Sequence, residues 1–361
     1  FVRVLATADL LYLMEVYPAS EEPRPGGRTA DLLSAFPPDS VAPVVVGDDP
    51  AGCSVVADEC REGDFLLFIG AGSIDRFARQ AVDRLCALPS RIGRLAGFYR
   101  ALSHRRFERE CLRLDEPLAA KTTIRRGGQA ELYAEPVCLE DLQALLGAAA
   151  ETSLPVEVLG RGSNLIVPDE GVAGLVLRLN HDCWQRIQKL DEGRILVGAG
   201  LRLKELCGHA CAQGWQGFEF LEGIPGTVGG ALRMNAGAMG SWIYEVVDEL
   251  HLVTMSGEVR ILGRRELKFG YRLCADLLDA TAIGAVVRPV GGIRIQEIRS
   301  RIEAYRAQRQ ESQPREPSAG CIFKNPECDS AGRLIDELGL KGERIGDAEV
   351  SAVHANFIIN R

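Results

Sequence analysis

Glycine is concentrated in two segments whose spacing points to close contact between the backbone and a bound molecule. A strand expected at Val156–Leu159 runs into GRGSNL (160–165), and seven glycines fall within residues 217–240. Glycine inside an apolar segment costs roughly 1 kcal/mol unless the conformation requires it. Consecutive N–H groups in the first segment can form a nest for a pyrophosphate, and the second segment can lie against a flat ring. These residues favour a large phosphate-bearing cofactor over the alternative, a set of tight turns in a β-rich fold.

Eleven cysteines are scattered along the chain, and none forms a CxxC pair. An odd number without such pairs does not indicate a disulfide framework, and most of these thiols have apolar neighbours that favour packing in a core. Cys207, His209 and Cys211 form a C-x-H-x-C pattern that could ligate a metal, but a single such pattern without a second pair is a weak signal. We therefore expect no metal site and a reduced, cytoplasmic protein.

Length and composition indicate an ordinary globular protein of two or three domains. The 361 residues are 46% apolar and 25% charged, and the formal net charge is −8. An acidic chain lacks the positive field that nucleic acid would require, and no apolar run reaches the roughly 18–20 residues of a membrane span. We expect a small-molecule ligand, with no nucleic-acid or membrane partner. Because the sequence starts at Phe1 without Met and stops at Arg361, we also expect it to be a piece of a longer protein.

The elements that position these groups fall into an N-terminal α/β part and a longer α+β part. In the first 88 residues the patterns predict strands at Val2–Leu5, Leu10–Val16, Val41–Val46 and Asp64–Ile69, and helices at Thr29–Ala35 and Arg76–Leu88. The turn Gly70-Ala71-Gly72 could present N–H groups to a phosphate or could be a tight βα turn. Residues 91–113 carry seven Arg against two Glu, which is typical of a basic linking helix, with an anion-binding surface as the alternative. Further along, helices are predicted at Cys138–Glu151, Leu203–Gln213 and Arg294–Gln310.

Six segments beyond residue 116 closely resemble the UDP-N-acetylenolpyruvoylglucosamine reductase family, the MurB-type flavoenzymes of peptidoglycan synthesis. They are GRGSNLIV (160–167), FLEGIPGTVGGALRMNAGA (220–238), FGYR (269–272), PSAGCIFKNP (317–326), AGRLIDELGLKG (331–342) and VSAVHANFIIN (350–360). EPLAAKTTIRRGGQAELYAEP (116–136) resembles the start of that family's flavin domain. The resemblance implies an α+β fold with an FAD-binding domain of the PCMH type at 116–292 and a C-terminal substrate domain at 293–361.

The resemblance also implies which residues form the site. The cofactor-binding residues would be Gly160, Arg161, Gly162, Ser163, Asn164, Leu165, Gly223, Ile224, Pro225, Gly226, Thr227, Gly229, Gly230, Asn235, Ala236 and Gly237. The substrate contacts would be Tyr271, Lys324, Asn325 and His354, with Lys341 as a weaker candidate.

The implied reaction is the reduction of UDP-N-acetyl-3-O-(1-carboxyvinyl)-glucosamine to UDP-N-acetylmuramate, with NADPH as reductant and FAD as cofactor. Such chemistry needs a cation beside the substrate carboxylate and an acid facing the α-carbon. Arg272 matches the family's carboxylate-stabilising arginine. The proton donor in this family is usually a serine, and here that position is Cys321. A thiol is a stronger acid than a hydroxyl, so we expect Cys321 to donate the proton; the alternative is a buried cysteine with water as the acid.

The first 88 residues resemble a different family. ADLLYLMEVYPASEEPRPGG (8–27) and DFLLFIGAGSI (64–74) are similar to the end of the C-terminal domain of UDP-N-acetylmuramate–alanine ligase, the MurC-type enzyme. The sequence has no G-x-x-x-x-G-K-[ST] phosphate loop, so this part cannot ligate alone. We expect residues 1–90 to be a partial, Rossmann-like ligase domain, residues 91–115 a basic helical linker, and the whole chain a piece of a ligase–reductase fusion whose other ligase domains are missing.

One feature of the reductase family has no counterpart in this sequence. The family places a glutamate that assists protonation beyond the HANFI–N strand, and the sequence stops at Arg361; Glu349 precedes the strand and does not match. We therefore expect the chain as given to bind flavin but to turn over poorly. Two rival interpretations are a sugar or alcohol oxidase on the same flavin fold, which would lack the FKNP and HANF motifs, and an inactive flavin-binding fragment.

Overall fold

The chain forms two compact units, Phe1–His104 and Arg105–Arg361, in the computed structural model. The structure describes residues 2–15, 28–61, 63–70, 73–88, 90–291 and 294–361. Part of the ligase-like motif 8–27 and two residues of the predicted turn at 70–72 lie outside these ranges.

The first unit is a small α/β arrangement. Its helices are α1 (Val2–Leu5), α2 (Thr29–Leu33), α3 (Pro50–Glu59), α4 (Ile74–Cys86) and α5 (Arg91–Ser103), and its strands are β1 (Tyr12–Leu13) and β2 (Val44–Val45). The two strands pair in parallel. A core of Val46, Cys53, Val56, Phe77 and Ala81 joins helices α3 and α4.

Two strands predicted in this unit are not formed. Val2–Leu5 is a helical turn, closed by the hydrogen bond from Ala6 N to Val2 O at 2.8 Å. Asp64–Ile69 is not a strand, because none of the described residues pairs with it in a ladder. Its side chains do alternate as in a strand: Leu66 and Phe68 pack on the core, whereas Phe65, Leu67 and Ile69 are 87%, 68% and 70% exposed.

The second unit contains three larger sheets and the helices that cover them. Its elements are β3 (Leu112–Pro117), β4 (Gln129–Ala134), α6 (Leu139–Glu151), β5 (Val156–Val158), β6 (Val172–Leu177), β7 (Ile187–Lys189), β8 (Ile195–Gly198), α7 (Leu203–Gln213), α8 (Val228–Met234), β9 (Gly237–Ala238), β10 (Ser241–Trp242), β11 (Val247–Thr254), β12 (Val259–Gly263), β13 (Phe269–Gly270), β14 (Leu273–Cys274), β15 (Ala280–Val287), α9 (Ile295–Ser312), β16 (Ser318–Cys321), α10 (Ala331–Glu337), β17 (Arg344–Ile345), β18 (Ala348–Val350) and β19 (Phe357–Asn360). This mixture of helix and sheet confirms the predicted α+β class.

The sheets differ in strand direction. The first has the order β3-β4-β6-β5, with β4, β6 and β5 parallel and β3 antiparallel at its edge. The second, β12-β11-β15-β8-β7, and the third, β16-β19-β18-β17, are antiparallel throughout. The C-terminal sheet is tied to the first part of the unit by the Asn360 amide, which donates to Ile124 O at 2.8 Å.

The helices of this unit follow the apolar periodicity of the sequence. In α7 the buried residues Leu203, Leu206, Cys207 and Ala210 recur at the spacing of one helix face, and Gly214, with φ of 71°, ends the helix. In α9 the buried residues are Ile298 and Ile302, which belong to the predicted apolar face. The predicted helices at 138–151, 203–213 and 294–310 are thus confirmed.

Candidate active site

A cleft of about 1110 Å³ in the second unit is lined by all sixteen residues predicted to bind the cofactor. Arg272, Cys321 and Tyr271 line the same cleft. The structure therefore brings together the two cofactor segments and both predicted catalytic residues, which come from four separate parts of the chain.

The first cofactor segment follows β5 and is held by neighbouring backbone. Thr123 N donates to Gly162 O at 3.1 Å, and the Ser163 hydroxyl donates to Pro225 O at 2.6 Å, which links the two cofactor segments. Gly162 has φ of 60°, and a Cβ at this position would lie 2.6 Å from Lys121 O. Any side chain here would clash with this backbone, so the glycine is required by the turn itself.

The second cofactor segment surrounds the short helix α8. Thr227 begins the helix, and its hydroxyl accepts a hydrogen bond from Gly230 N at 3.3 Å. Asn235 ends the helix with φ of 41°, and its Nδ2 donates to Gly270 O at 3.1 Å. The Oδ1 of Asn235 is buried and has no hydrogen-bond partner among the described residues.

This orphaned oxygen is evidence that the cleft fits a flavin. A buried acceptor without a partner costs about 1–3 kcal/mol, so it implies a donor that the protein does not supply. A flavin ring carries an N–H donor at its edge, and the cationic lining of the cleft suits a diphosphate. Residues 160–165 and 223–237 would hold the cofactor, which, when bound, supplies hydride chemistry.

Arg272 lies at the tip of the β13–β14 hairpin in a strained conformation. Its φ is 54°, the left-handed region that the third position of such a two-residue turn usually reserves for glycine. A non-glycine residue held there by its surroundings is a common feature of functional sites. The guanidinium Nη2 donates to Asn164 Oδ1 at 3.0 Å, and the ring of Tyr244 stacks on Phe269 at the base of the hairpin, with centroids 4.4 Å apart.

Cys321 ends strand β16 and opens onto the cleft. The residue is exposed, yet the protein atoms packed around its thiol raise the thiol pKa above its ordinary value, and the Arg272 and Arg309 guanidinium groups partly oppose this rise. The thiol therefore carries its proton at neutral pH. This is the protonation state that a general acid needs before the reaction.

Three of the predicted substrate contacts do not line the cleft: Lys324, Asn325 and His354. Asn325 N donates to the Tyr271 hydroxyl at 3.3 Å, and Asn325 Oδ1 accepts from Ala331 N at 3.1 Å, at the start of α10. His354 Nδ1 accepts from Asn356 N at 3.2 Å, and burial lowers the pKa of the ring. Lys341, the weaker candidate, pairs with Asp336 at 2.7 Å. The substrate-binding role of these residues stays a prediction.

Cationic residues that the sequence did not single out also line the cleft. They are Lys121, Arg125, Arg178, Arg202, Arg233, Arg309 and Arg315. Arg309 comes from α9 and lies against Gly223; its Nε is buried without a hydrogen-bond partner among the described residues. No local motif marks these residues, because they come from elements far apart in the chain.

Other groups considered from the sequence have structural partners. Both oxygens of Glu349 accept from the Arg361 guanidinium at 2.8 Å, which agrees with its exclusion as an acid in the reaction. Cys207 is buried in α7, and burial raises its pKa to about 12, while the His209 ring packs on Trp215 at 5.1 Å.

Within the described ranges, none of the helices combines the length and the apolar character needed to cross a bilayer.

Comparison with known proteins supports the resemblance to the reductase family that the sequence motifs indicate. A family model described as an FAD binding domain matches residues 130–263, and the model of the UDP-N-acetylenolpyruvoylglucosamine reductase C-terminal domain matches residues 313–361. The UDP-N-acetylenolpyruvoylglucosamine reductase of Pelobacter propionicus is 43% identical over 255 residues, which are 70% of this chain and 84% of that protein. The reductase of Synechocystis is 44% identical over 249 residues, 67% of this chain and 78% of that protein. The crystal structure of the Thermus caldophilus reductase (MurB) matches with a TM-score of 0.60 and 38% identity, over 71% of this chain and 88% of that one. The chain therefore belongs to the UDP-N-acetylenolpyruvoylglucosamine reductase family.

Proposed function

We propose that the second unit reduces UDP-N-acetyl-3-O-(1-carboxyvinyl)-glucosamine to UDP-N-acetylmuramate, with NADPH as the source of electrons and FAD as the bound cofactor. The observation that carries the proposal is the convergence of Arg272 and Cys321 on the cleft that all sixteen cofactor residues line. One hydride and one proton are added across the carbon–carbon double bond, and NADPH becomes NADP⁺.

Arg272 and Cys321 would each carry one part of the reaction with the substrate. When hydride reaches the β-carbon, negative charge develops on the substrate carboxylate, and the Arg272 fork can stabilise it with two parallel hydrogen bonds. The Cys321 thiol then donates its proton to the α-carbon and leaves a thiolate near Arg272 and Arg309. The cleft cations without an ion-pair partner among the described residues, including Arg161, Arg233 and Arg315, suit the diphosphate of the substrate.

The test follows the colour of the flavin in purified protein under anaerobic conditions. We expect a yellow protein whose absorbance near 450 nm bleaches with NADPH and recovers when the enolpyruvyl substrate is added, with a product about 2 Da heavier. Bleaching without recovery would contradict the reductase and support an inactive flavin-binding fragment. Recovery with oxygen but not with substrate would support an oxidase instead.

We further propose that residues 1–90 are a partial ligase C-terminal domain, that residues 91–115 link it to the reductase, and that the chain comes from a ligase–reductase fusion. In support, Phe65, Leu67 and Ile69 form an exposed apolar row on a segment with strand-like alternation, as expected for an α/β domain in which one face lacks its covering layer. An antibody against residues 105–361 should detect, in the source cells, a polypeptide well above 39.2 kDa. A single band at that mass would contradict the fusion.

A further inference from the structure

Two asparagines from the cofactor segments hold the hairpin that carries Arg272. Asn164, in the first segment, accepts from Arg272 Nη2 at 3.0 Å, and Asn235, in the second, donates to Gly270 O at 3.1 Å. Arginine can only donate and a carbonyl can only accept. Asn164 must therefore turn its amide oxygen toward the hairpin, and Asn235 its amide nitrogen. Of these two hydrogen bonds, the one with Asn164 involves the Arg272 guanidinium itself.

The conformation of Arg272 makes such a contact necessary. With φ of 54°, the residue has a strained backbone that persists only where surrounding groups hold it. Without the hydrogen bond to Asn164, the Arg272 side chain would also rotate about several of its bonds. A hydrogen bond at its end restricts these rotations before substrate arrives.

The chemical type of the partner matters as well. The Asn164 amide is neutral, and Arg272 has no ion-pair partner among the described residues. An aspartate at this position would hold the guanidinium equally well but would cancel its charge. An amide orients the cation and leaves its charge available for the substrate carboxylate.

We propose that Asn164 is a positioning residue for Arg272, so that the segment which holds the cofactor also sets the geometry of the carboxylate-binding arginine. The proposal rests on the proposed function of the site. It assigns Asn164 a role in the second half-reaction, in which the substrate reoxidises the reduced flavin. This role goes beyond the cofactor binding that the sequence predicts for Asn164.

The test is a double-mutant cycle on the two half-reactions, measured in single turnover with FAD-loaded protein. Asn164→Ala should slow reoxidation of reduced flavin by the enolpyruvyl substrate by about 10- to 100-fold, the range for losing a hydrogen bond to a charged group. Reduction by NADPH in the FAD-loaded fraction should change much less. In the Arg272→Ala background the same substitution should add little further loss, and Asn164→Asp should also slow reoxidation. Asn180→Ala, an exposed asparagine outside the cleft, is the matched control.

A second readout needs no turnover. Phenylglyoxal labelling of Arg272, mapped by mass spectrometry, should be faster in Asn164→Ala than in the unaltered chain and unchanged in Asn180→Ala. Equal labelling rates, or an equal loss of reoxidation from Asn164→Ala with and without Arg272, would overturn the proposal. If the unaltered chain fails to reoxidise with substrate, the proposed function fails, while the labelling result still decides whether Asn164 holds Arg272.

Discussion

Two opposing influences act on the pKa of the Cys321 thiol. The surrounding protein raises its pKa, which keeps the proton on sulfur, and the guanidinium groups of Arg272 and Arg309 favour the thiolate that remains after the proton is given away. Serine, the residue usual for the family, would leave an alkoxide that is far harder to stabilise. A thiol therefore suits this position chemically, and its substitutions give a direct test.

Replacing Cys321 should separate the two half-reactions. Cys321→Ala removes the acid, so reoxidation by substrate should fall by about 10²–10⁴-fold, the usual contribution of general acid catalysis, while reduction by NADPH stays near normal. Cys321→Ser should retain more of the reoxidation rate, because a hydroxyl can still donate. The measurement is stopped-flow absorbance of the flavin, and an unchanged reoxidation rate in Cys321→Ala would exclude Cys321 as the acid.

Removing the Arg309 charge should make the Cys321 thiol less acidic. Because this guanidinium lowers the pKa of Cys321, Arg309→Met should raise that pKa and leave less thiolate at any pH below it. Alkylation of Cys321 by iodoacetamide at pH 8 should then be slower than in the unaltered chain. Cys328, which is also exposed, provides an internal reference in the same mass-spectrometric digest. Equal alkylation of Cys321 in both proteins would show that Arg309 does not act on it.

Helix α9 connects the C-terminal part of the second unit to the residues just before Gly223. Arg306 Nε donates to Glu222 Oε1 at 2.9 Å, and Arg301 lies 3.7 Å from Glu219. Both glutamates are buried, whereas both arginines are about half exposed. The helix thus supplies the positive charge that allows two buried carboxylates beside the cofactor segment.

Breaking the Arg306–Glu222 pair should loosen the cofactor segment. Arg306→Gln leaves a buried carboxylate without its cation, which should lower the free energy of unfolding by about 1–3 kcal/mol after allowance for the exposed arginine. We also expect weaker retention of FAD, because Glu222 directly precedes Gly223. Urea unfolding and flavin content after dialysis measure the two effects. Arg299→Gln, at an exposed position of the same helix, is the control, and equal results for the two variants would refute the role of the pair.

Sequence patterns predict those elements that carry their own information and miss those that depend on partners. Helix α7 is predictable because its apolar face and its terminal glycine lie within one segment. Asp64–Ile69 has the composition of a strand, but no residue that the structure describes pairs with it, and a strand exists only in a ladder. In the site, glycine-rich segments are visible because backbone geometry demands glycine, whereas Arg309 reaches the cleft only through the packing of α9.

At the scale of the whole chain, the net charge conceals the charge of the site. The formal charge is −8, yet among the described residues nine Lys or Arg line the cleft against two acidic residues, Glu157 and Glu316. The overall composition does not reveal this local excess. The residues that the structure places along the cleft also all belong to the second unit.

The site should therefore work without the first unit. Arg105, at the start of the second unit, pairs with Glu151 at 2.8 Å, and the buried core of Leu118, Ala130, Tyr133, Leu159 and Val176 lies wholly within that unit. We expect residues 105–361 to keep the flavin content and both half-reaction rates within about twofold, since a unit with its own core can fold alone. Deleting residues 1–117 instead removes β3 and its five paired positions along β4, so this variant should lose flavin and unfold at lower temperature. Flavin-to-protein absorbance ratios and thermal unfolding distinguish the two, and loss of flavin from 105–361 would show that the first unit contributes to the stability of the site.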